Sequence, residues 1–262
     1  MARVLAVSNQ KGGVGKTTTS INLAAALAKR GSRTLLVDLD PQGNASSGLG
    51  LDRAAISKGT YELLQGYAAP AEVVLPTSLQ HLYVVPATRA LLGVELELAE
   101  ESRPQRRLRA ALDTLRDDYD WVVLDCPPSL SLLTVNALTA ADSVIIPLQT
   151  EYFAMEGLGA ILHTLRQVRQ KLNPDLEREG VLLTMMDRRN NLSKEVERQA
   201  REAFGEGVFQ TTITRNVRLS EAPSFGQSIV EYAPRSHGAR DYVALADELI
   251  ARHRPAARVV VS

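Results

Sequence analysis

Short apolar runs recur along almost the whole chain and are separated by longer stretches in which apolar and polar residues mix at helical spacing. Each run is rich in valine, isoleucine and leucine, and its apolar residues are consecutive rather than alternate. This pattern is typical of a strand that is buried on both faces, as in a parallel sheet covered by helices. It predicts seven strands, at residues 4–8, 34–38, 82–86, 121–125, 143–147, 180–184 and 208–213.

Four of the intervening stretches are predicted helices, at residues 16–30, 105–116, 156–172 and 193–204. Gly31 stands where a C-terminal cap would end the first helix, and Asn173-Pro174 ends the third. The alternation predicts a doubly wound α/β fold, a mostly parallel sheet with helices on both faces. Because no repeat or long linker divides the chain, residues 1–262 are predicted to form a single domain. Short helices and loops are expected in 43–80, and a flexible tail at 254–262.

The composition is that of a folded globular protein, with 262 residues, 45% hydrophobic and 23% charged, which excludes a disordered or fibrous chain. The 30 basic and 30 acidic side chains give a net charge of zero. A general attraction of the whole surface to nucleic acid is therefore not expected, although a local basic patch is compatible with this balance. The single cysteine excludes an intramolecular disulfide framework and leaves zinc or iron–sulfur ligation within one chain unsupported. We expect Cys126 to be a small buried side chain.

No stretch approaches the roughly 20 apolar residues that a membrane-spanning helix needs. The chain begins Met-Ala-Arg and passes directly into the first strand-like run, which is unlike a secretory signal peptide. The sequence therefore predicts a protein of the reducing cytoplasm.

The strongest chemical signal is the segment 9–18, NQKGGVGKTT, which follows the first predicted strand and opens the first predicted helix. Glycines 12, 13 and 15 let the backbone curl so that successive N–H groups face one anion, and the helix N-terminus adds its dipole. Lys16 would reach the β- and γ-phosphates of a nucleotide, and the Thr17 hydroxyl would bind Mg²⁺. The segment predicts a phosphate-binding loop. Several specified residues in the right context disfavour the alternative, a glycine-rich turn with a solvated lysine.

The loop departs from the general pattern G-x-x-x-x-G-K-[ST] because Gln10 replaces a glycine, and Lys11 adds a second lysine at its start. This K-G-G-x-G-K-T arrangement, the deviant Walker A form, resembles the loop of the ParA/MinD group of P-loop ATPases. The resemblance implies an ATP-sandwich homodimer in which Lys11 reaches the nucleotide of the second subunit; the alternative is a surface cation beside the loop. The ATP contacts expected in the loop are Lys11, Gly12, Gly13, Val14, Gly15, Lys16, Thr17 and Thr18.

Carboxylates close two of the predicted strands. Asp38 and Asp40 lie at alternate positions where strand 34–38 ends, so both side chains are expected to point toward the ligand crevice of an open α/β sheet. Asp125 follows four apolar residues, as in a Walker B element whose carboxylate holds Mg²⁺ through water. The motifs V-D-x-D-P-Q-G-N and D-C-P-P-S resemble the two switch segments of ParA proteins. The resemblance implies that Asp40 positions the attacking water, while Asp38 and Asp125 organise the metal with Thr17. For Asp38 the alternative is a carboxylate that caps the next helix.

The resemblance to short, Soj-type ParA proteins covers nearly the whole sequence, through residues 6–51, 85–88, 125–141, 151–158, 181–191 and 215–232. In that family the ATP-bound dimer binds double-stranded DNA without sequence preference, and the matching positions here are Arg189 and Arg218. A charge-mixed solvated surface is the alternative, because acidic residues nearly match the basic ones within 178–221. The resemblance also places adenine against 185–187 and 215–223, with Met186, Asp187 and Pro223 as the expected contacts.

These features predict an ATPase of the ParA family, with ATP and Mg²⁺ as cofactors and no membrane partner. The resemblance implies that a ParB-like centromere-binding partner stimulates hydrolysis and so releases the dimer from DNA, which would make the protein cytoplasmic and nucleoid-associated. A ParA-like ATPase that positions another cargo is the main alternative. A MinD-like membrane ATPase is less favoured, because Pro255 interrupts the last helical stretch and few apolar residues follow it.

Overall fold

The computed structural model describes residues 1–98, 101–151 and 154–253. Its strands are β1 (Arg3–Val7), β2 (Thr34–Asp38), β3 (Leu75–Pro76), β4 (Leu82–Val85), β5 (Trp121–Asp125), β6 (Ser143–Gln149) and β7 (Glu177–Thr184). They form one sheet in the order β3-β4-β2-β5-β1-β6-β7. Every pairing is parallel except the antiparallel pair β3–β4 at the edge. The strand order and the parallel register confirm the predicted sheet.

The α-helices lie between the strands and after the last of them. They are α1 (Lys16–Lys29), α2 (Asn44–Gly48), α3 (Thr60–Gln65), α4 (Pro70–Val73), α5 (Val94–Leu98), α6 (Arg107–Asp113), α7 (Leu132–Ala140), α8 (Ala154–Lys171), α9 (Asn191–Phe204), α10 (Val217–Glu221), α11 (Ile229–Tyr232) and α12 (His237–His253). Short 3₁₀ turns lie at Arg89–Leu92, Pro104–Arg106, Gly205–Gly207 and Ala222–Phe225. The irregular stretch 43–80 holds three short helices, as predicted, and the predicted tail 254–262 lies outside the described residues.

Two apolar cores separate the sheet from its helices. Successive strand residues point to opposite faces, so Val4 and Ala6 of β1 pack in one core while Leu5 and Val7 pack in the other. The first core is closed by helices that include α6, α7, α8 and α9, and the second by α1, α11 and α12. Helices therefore cover both faces, which confirms the doubly wound α/β class.

One predicted strand is wrong. Residues 208–213 lie beside β7 but join it through an isolated bridge between Val181 and Val208 rather than through a ladder. The backbone N–H groups of Gln210 and Thr211 donate instead to the carboxylate of Glu248 on α12, at 2.9 and 2.8 Å. The apolar pattern correctly predicted burial, but a side chain from a distant helix takes two of the donors, while two other N–H groups of the segment still donate to β7.

Smaller differences concern element ends. The predicted helix 105–116 divides into a 3₁₀ turn and the shorter α6, and the two-residue β3 was not predicted. Gly31 follows α1 with φ +86°, the left-handed conformation expected of a C-terminal cap. No described helix is long and apolar enough to cross a membrane.

Candidate functional site

The sheet order places three functional segments at one edge. β1 lies between β5 and β6, and β5 lies between β2 and β1. Asp125, the last residue of β5, is in register with Val7 of β1 and with Asp38 of β2. The glycine-rich loop after β1 therefore emerges beside both carboxylates, which end their strands as the sequence predicted.

Three hydrogen-bonding side chains tie the loop to the sheet and to α8. Asn9 donates to Pro147 O of β6 (2.7 Å) and accepts from Lys11 N (3.1 Å). Gln10, the departure from the general pattern, donates to the Thr164 hydroxyl of α8 (2.9 Å). The Thr184 hydroxyl at the end of β7 donates to Val14 O (2.9 Å). The loop is thus held on both sides before any ligand binds.

The concave side of the loop is an open cradle of backbone donors. Gly13 and Gly15 adopt φ values of +75° and +87°, which turn successive peptide groups the same way. Within the described ranges, no acceptor is found for the backbone N–H groups of residues 12–18. A Cβ atom at Gly12 or Gly13 would meet nothing within 4 Å. Unpaired N–H groups at a helix N-terminus form an anion site.

Two lysines flank this cradle. Lys16 begins α1, is only 7% exposed, and donates from Nζ to Lys11 O at 3.0 Å. Burial lowers the pKa of Lys16, and the nearby carboxylates of Asp125 and Asp40 oppose that shift. Lys11 itself is half-buried at the start of the loop. Its predicted reach into a second subunit stays a prediction.

Asp125 carries an unused oxygen. Oδ1 accepts from the Ser20 hydroxyl of α1 at 2.8 Å, while Oδ2 is buried with no hydrogen-bond partner in the described part of the chain. Burial, and then the charge of Asp38, raise the pKa of Asp125 to about 8. A buried acceptor without a donor is costly unless a ligand or ion satisfies it. This oxygen fits a water or cation beside Thr17.

The part of the chain that the structure describes holds no protein-only metal cage. Within residues 1–98, 101–151 and 154–253, no three histidine, cysteine, aspartate or glutamate side chains are grouped to hold a metal. A magnesium ion here would therefore take most of its oxygen ligands from a bound phosphate and from water, which is its usual preference. Thr17, in the first turn of α1, and Asp125 are the residues that fit such an ion.

Both carboxylate oxygens of Asp38 accept hydrogen bonds from its own segment. Its Oδ1 accepts from Asp40 N (3.2 Å), and its Oδ2 accepts from the backbone N–H (2.8 Å) and the hydroxyl (2.6 Å) of Ser46 in α2. Burial raises the pKa of Asp38 to about 6, although the Ser46 hydrogen bonds oppose that shift. The contacts match the alternative in which this carboxylate caps the next helix. Its metal role stays a prediction.

Asp40 lies at the turn into α2 and is 8% exposed. Its Oδ1 accepts from Gln42 N at 2.9 Å, and its carbonyl accepts from Gly43 N at 2.8 Å. The guanidinium of Arg53 donates to the carbonyls of Pro41 (3.1 Å) and Gln42. Arg53 was not predicted from the sequence, because no short motif links it to Asp40.

A cavity of about 410 Å³ opens beside the loop, where a nucleoside would lie. Its wall includes Pro223, one of the three predicted adenine contacts, together with Thr18. Met185 also lines it, with φ +53° and 36% exposure. Met186 is instead 2% exposed, and Asp187 binds Arg189. Met185 is therefore an additional expected contact, and the contacts predicted for Met186 and Asp187 stay predictions. The residues that complete the wall are Gly15, Thr184, Ile213, Thr214, Arg215, Asn216, Leu219, Ser220 and Tyr242.

The two candidate DNA-binding arginines follow a pair of joined segments. An isolated bridge links Met186 to Thr214, and each arginine stands a few residues further along its own segment. Arg189 is 92% exposed and forms a two-point ion pair with Asp187, at 3.1 and 3.2 Å. Arg218 donates to Glu221 at 2.8 Å. Both guanidinium groups are exposed, but each forms an ion pair with a carboxylate that a DNA phosphate would have to displace.

The Asp40 segment and the Arg218 segment meet at two glycines. A Cβ atom on Gly226 would lie 2.5 Å from the Cα of Gly50, and one on Gly50 would lie 2.9 Å from Gly226 O. Both glycines have positive φ, +81° and +63° for Gly50 and Gly226. Their contact holds the loop after α2 against the turn that follows Pro223.

We expect Gly226→Ala to lower the free energy of unfolding by about 3 kcal/mol or more, since the left-handed backbone costs about 1–2 kcal/mol and the backbone clash adds to it. Gly66→Ala is the matched control, because Gly66 has φ +74° but open space around the position of a Cβ. The free energy of unfolding of Gly66→Ala should fall only by the cost of the left-handed backbone. Urea unfolding of both variants measures the difference, and equal losses would contradict the close contact.

Cys126 follows Asp125 and is fully buried. Its backbone N–H donates to Val7 O at 3.3 Å, which continues the contact of β5 with β1. Burial raises the pKa of the Cys126 thiol. The residue is therefore a packed, protonated side chain, as the sequence predicted.

Comparison with known proteins gives concordant results. Residues 2–178 match the family model described as an AAA domain. The chain is 53% identical to the chromosome partitioning protein ParA of Myxococcus xanthus, over 97% of this chain and 90% of that protein. It is 51% identical to the sporulation initiation inhibitor protein Soj of Bacillus subtilis, over 96% and 99%.

A solved structure gives the same fold. The crystal structure of a Mycobacterium smegmatis protein named cobyrinic acid a,c-diamide synthase, with bound ADP and magnesium, superposes with a TM-score of 0.85. It is 39% identical to this chain and is aligned over 96% of this chain and 95% of that one.

Proposed function

This chain belongs to the ParA/Soj family of chromosome-partitioning P-loop ATPases, and from that premise we propose that its ATP-bound dimer holds DNA and releases it after hydrolysis. The observation that carries the proposal is the position of α10. Leu219 and Ser220 of this helix line the nucleoside cavity, while Arg218 beside them is exposed. One short helix would therefore contact both the expected nucleotide and the expected DNA.

Nucleotide binding rests on the loop after β1. The free N–H groups of residues 12–18 would hold the phosphates of ATP, and Lys16 would exchange the carbonyl of Lys11 for a phosphate oxygen. Thr17 and Asp125 would hold Mg²⁺, which neutralises phosphate charge when it is bound. The relative crystallised with ADP and magnesium supports this pair of cofactors.

Hydrolysis would use residues at the rim of the same site. Asp40 would orient the attacking water, because its carboxylate has one oxygen anchored to Gln42 N and the other available. Lys16 would stabilise charge on the phosphoryl oxygens, and Lys11 would do so from the second subunit. Hydrolysis removes the charge that Lys11 contacts, so the dimer would reopen.

DNA binding would be electrostatic and independent of sequence. Arg189 and Arg218 are exposed guanidinium groups, and phosphate is a ligand that such groups bind. A dimer doubles the number of contacts, and each phosphate contact adds about 0.9 to the salt dependence of binding. A ParB-like partner that accelerates hydrolysis would release the protein from the nucleoid.

The test is retention on random-sequence duplex DNA with ATP, ADP or no nucleotide across a salt series, with Asp40→Ala to preserve the ATP state. We expect retention only with ATP, falling steeply with salt. Arg218→Glu should lose DNA while it still dimerises with ATP. Arg169→Glu is the matched control, because this exposed arginine of α8 lies near Leu176 at the opposite end of β7.

Glu221→Gln extends the test in the other direction, because it frees Arg218 from its ion pair. This variant should retain DNA at higher salt than the natural chain. If Asp40→Ala dimerises with ATP but ignores DNA, the ATPase site stands and the DNA proposal fails. The next experiment would then be binding to liposomes.

A further inference from the structure

Arg53 contacts the segment that carries Asp40 through two consecutive carbonyl groups. Its Nη2 donates to Pro41 O at 3.1 Å, and its Nη1 donates to Gln42 O. A guanidinium is a planar fork of donors, so it can bridge two acceptors at a fixed spacing where a lysine ammonium cannot. Arg53 lies beyond α2, so the contact closes the loop that α2 forms.

The two carbonyls belong to the peptide units that also hold Asp40. A peptide unit is planar, so the C=O of one residue and the N–H of the next move together. In the first unit, Pro41 O accepts from Arg53 while Gln42 N donates to Asp40 Oδ1. In the second, Gln42 O accepts from Arg53 while Gly43 N donates to the carbonyl of Asp40. Each plane is therefore fixed by Arg53 at one end and by Asp40 at the other.

Gly43 makes this approach possible. Its φ is +65°, and a Cβ atom there would lie 2.5 Å from both Cζ and Nε of Arg53. The guanidinium thus lies directly against the bare Cα of the glycine. The Nε of Arg53 is buried without a hydrogen-bond partner, so packing on Gly43 and the two carbonyl contacts define its place.

The guanidinium of Arg53 bonds to loop carbonyls and forms no ion pair within the described residues. Across the described residues, no carboxylate lies within ion-pair distance of its guanidinium. A cation bonded to two carbonyls in a partly buried place is a strong, charge-assisted contact, which holds the peptide planes more firmly than neutral bonds do.

We propose that Arg53 is a positioning residue for ATP hydrolysis, which fixes the Asp40 carboxylate by clamping the two peptide units bonded to it. The inference rests on the role proposed above for Asp40 as the residue that orients water. It assigns to Arg53 no contact with the nucleotide. Loss of the clamp lets both planes rotate, which moves the anchor of Asp40 Oδ1 and misplaces the carboxylate. A displacement of about 1 Å at a reacting centre costs about 100-fold in rate.

The experiment compares ATP turnover by the full chain with Arg53→Ala, Arg53→Lys and the control Arg89→Ala. Arg89 is an exposed arginine that lines the same surface cavity as Arg53. We expect Arg53→Ala to lower kcat by about 10- to 100-fold and to leave KM and nucleotide affinity within about threefold, because the phosphate loop is untouched. Arg53→Lys should recover only part of the rate, since an ammonium reaches one carbonyl. Arg89→Ala should turn over normally.

Three results would overturn the inference. The first is an equal loss of kcat and nucleotide affinity in Arg53→Ala, which indicates general disruption. The second is full recovery by lysine, which indicates that charge alone suffices. The third is an equal defect in Arg89→Ala. Asp40→Ala, measured alongside, distinguishes failure of the role proposed for Asp40 from failure of the role proposed for Arg53. If Asp40→Ala hydrolyses ATP normally, both proposed roles are wrong. If it is inactive while Arg53→Ala is normal, only the clamp is wrong.

Discussion

Asp40→Ala is expected to stop ATP turnover while nucleotide binding and ATP-dependent dimerisation persist. Removing a group that orients and activates water costs about 10²- to 10⁴-fold in rate. The phosphate loop and its tethers at Asn9 and Thr184 do not involve Asp40, so affinity for ATP should stay within a few fold. Phosphate release under single-turnover conditions measures the first effect, and a fluorescent ATP analogue measures the second.

Asp52→Ala is the control for this variant. Asp52 lies in the same segment, is exposed, and accepts a local hydrogen bond from Ala54 N at 3.0 Å. It should hydrolyse ATP at the natural rate. Undiminished hydrolysis by Asp40→Ala would contradict the proposed role of Asp40 in orienting water. Loss of ATP binding in this variant would show that Asp40 contributes to nucleotide binding instead.

Lys16→Ala is expected to lose ATP. Nζ of Lys16 lies at the phosphate loop, where it bonds to the carbonyl of Lys11. Truncating one partner of a buried, hydrogen-bonded charge pair costs about 2–5 kcal/mol, which corresponds to roughly 30-fold or more in affinity. Titration with the fluorescent analogue gives the value directly.

Lys29→Ala, at the exposed end of α1, is the matched control and should bind ATP normally. Circular dichroism of both variants tests folding, because Lys16 is buried and its removal changes the packing of the loop. Tight ATP binding by a folded Lys16→Ala protein would contradict the phosphate-loop assignment.

The strand ends were the most predictable part of the site. Parallel strands that are buried on both faces leave consecutive apolar residues in the sequence, and their carboxyl ends meet at one edge. The sequence therefore predicted that Asp38 and Asp125 end parallel strands, and the register of β2 with β5 shows in addition that the two lie side by side. The glycine loop was predictable for a similar reason, since its backbone chemistry requires particular residues at fixed spacing.

The features that were not predicted depend on contacts between distant segments. Residues 208–213 have the composition of a strand, but Glu248, some 38 residues away, accepts two of their N–H groups. Met185 rather than Met186 lines the cavity because a left-handed turn reverses the alternation of side chains there. Arg53 reaches Pro41 across α2, and neither spacing nor composition encodes that contact. Local pattern predicts elements, whereas side-chain to backbone contacts set the details of the site.

The buried thiol of Cys126 has a practical consequence. Because it is the single cysteine of the chain and is inaccessible in the folded state, the natural protein is a nearly silent background for maleimide labelling. A cysteine placed at an exposed position, such as Lys171 at the end of α8, would carry a fluorophore at one defined point. Opening and closing of a dimer could then be followed by energy transfer without first removing a native thiol that packs against the catalytic strands.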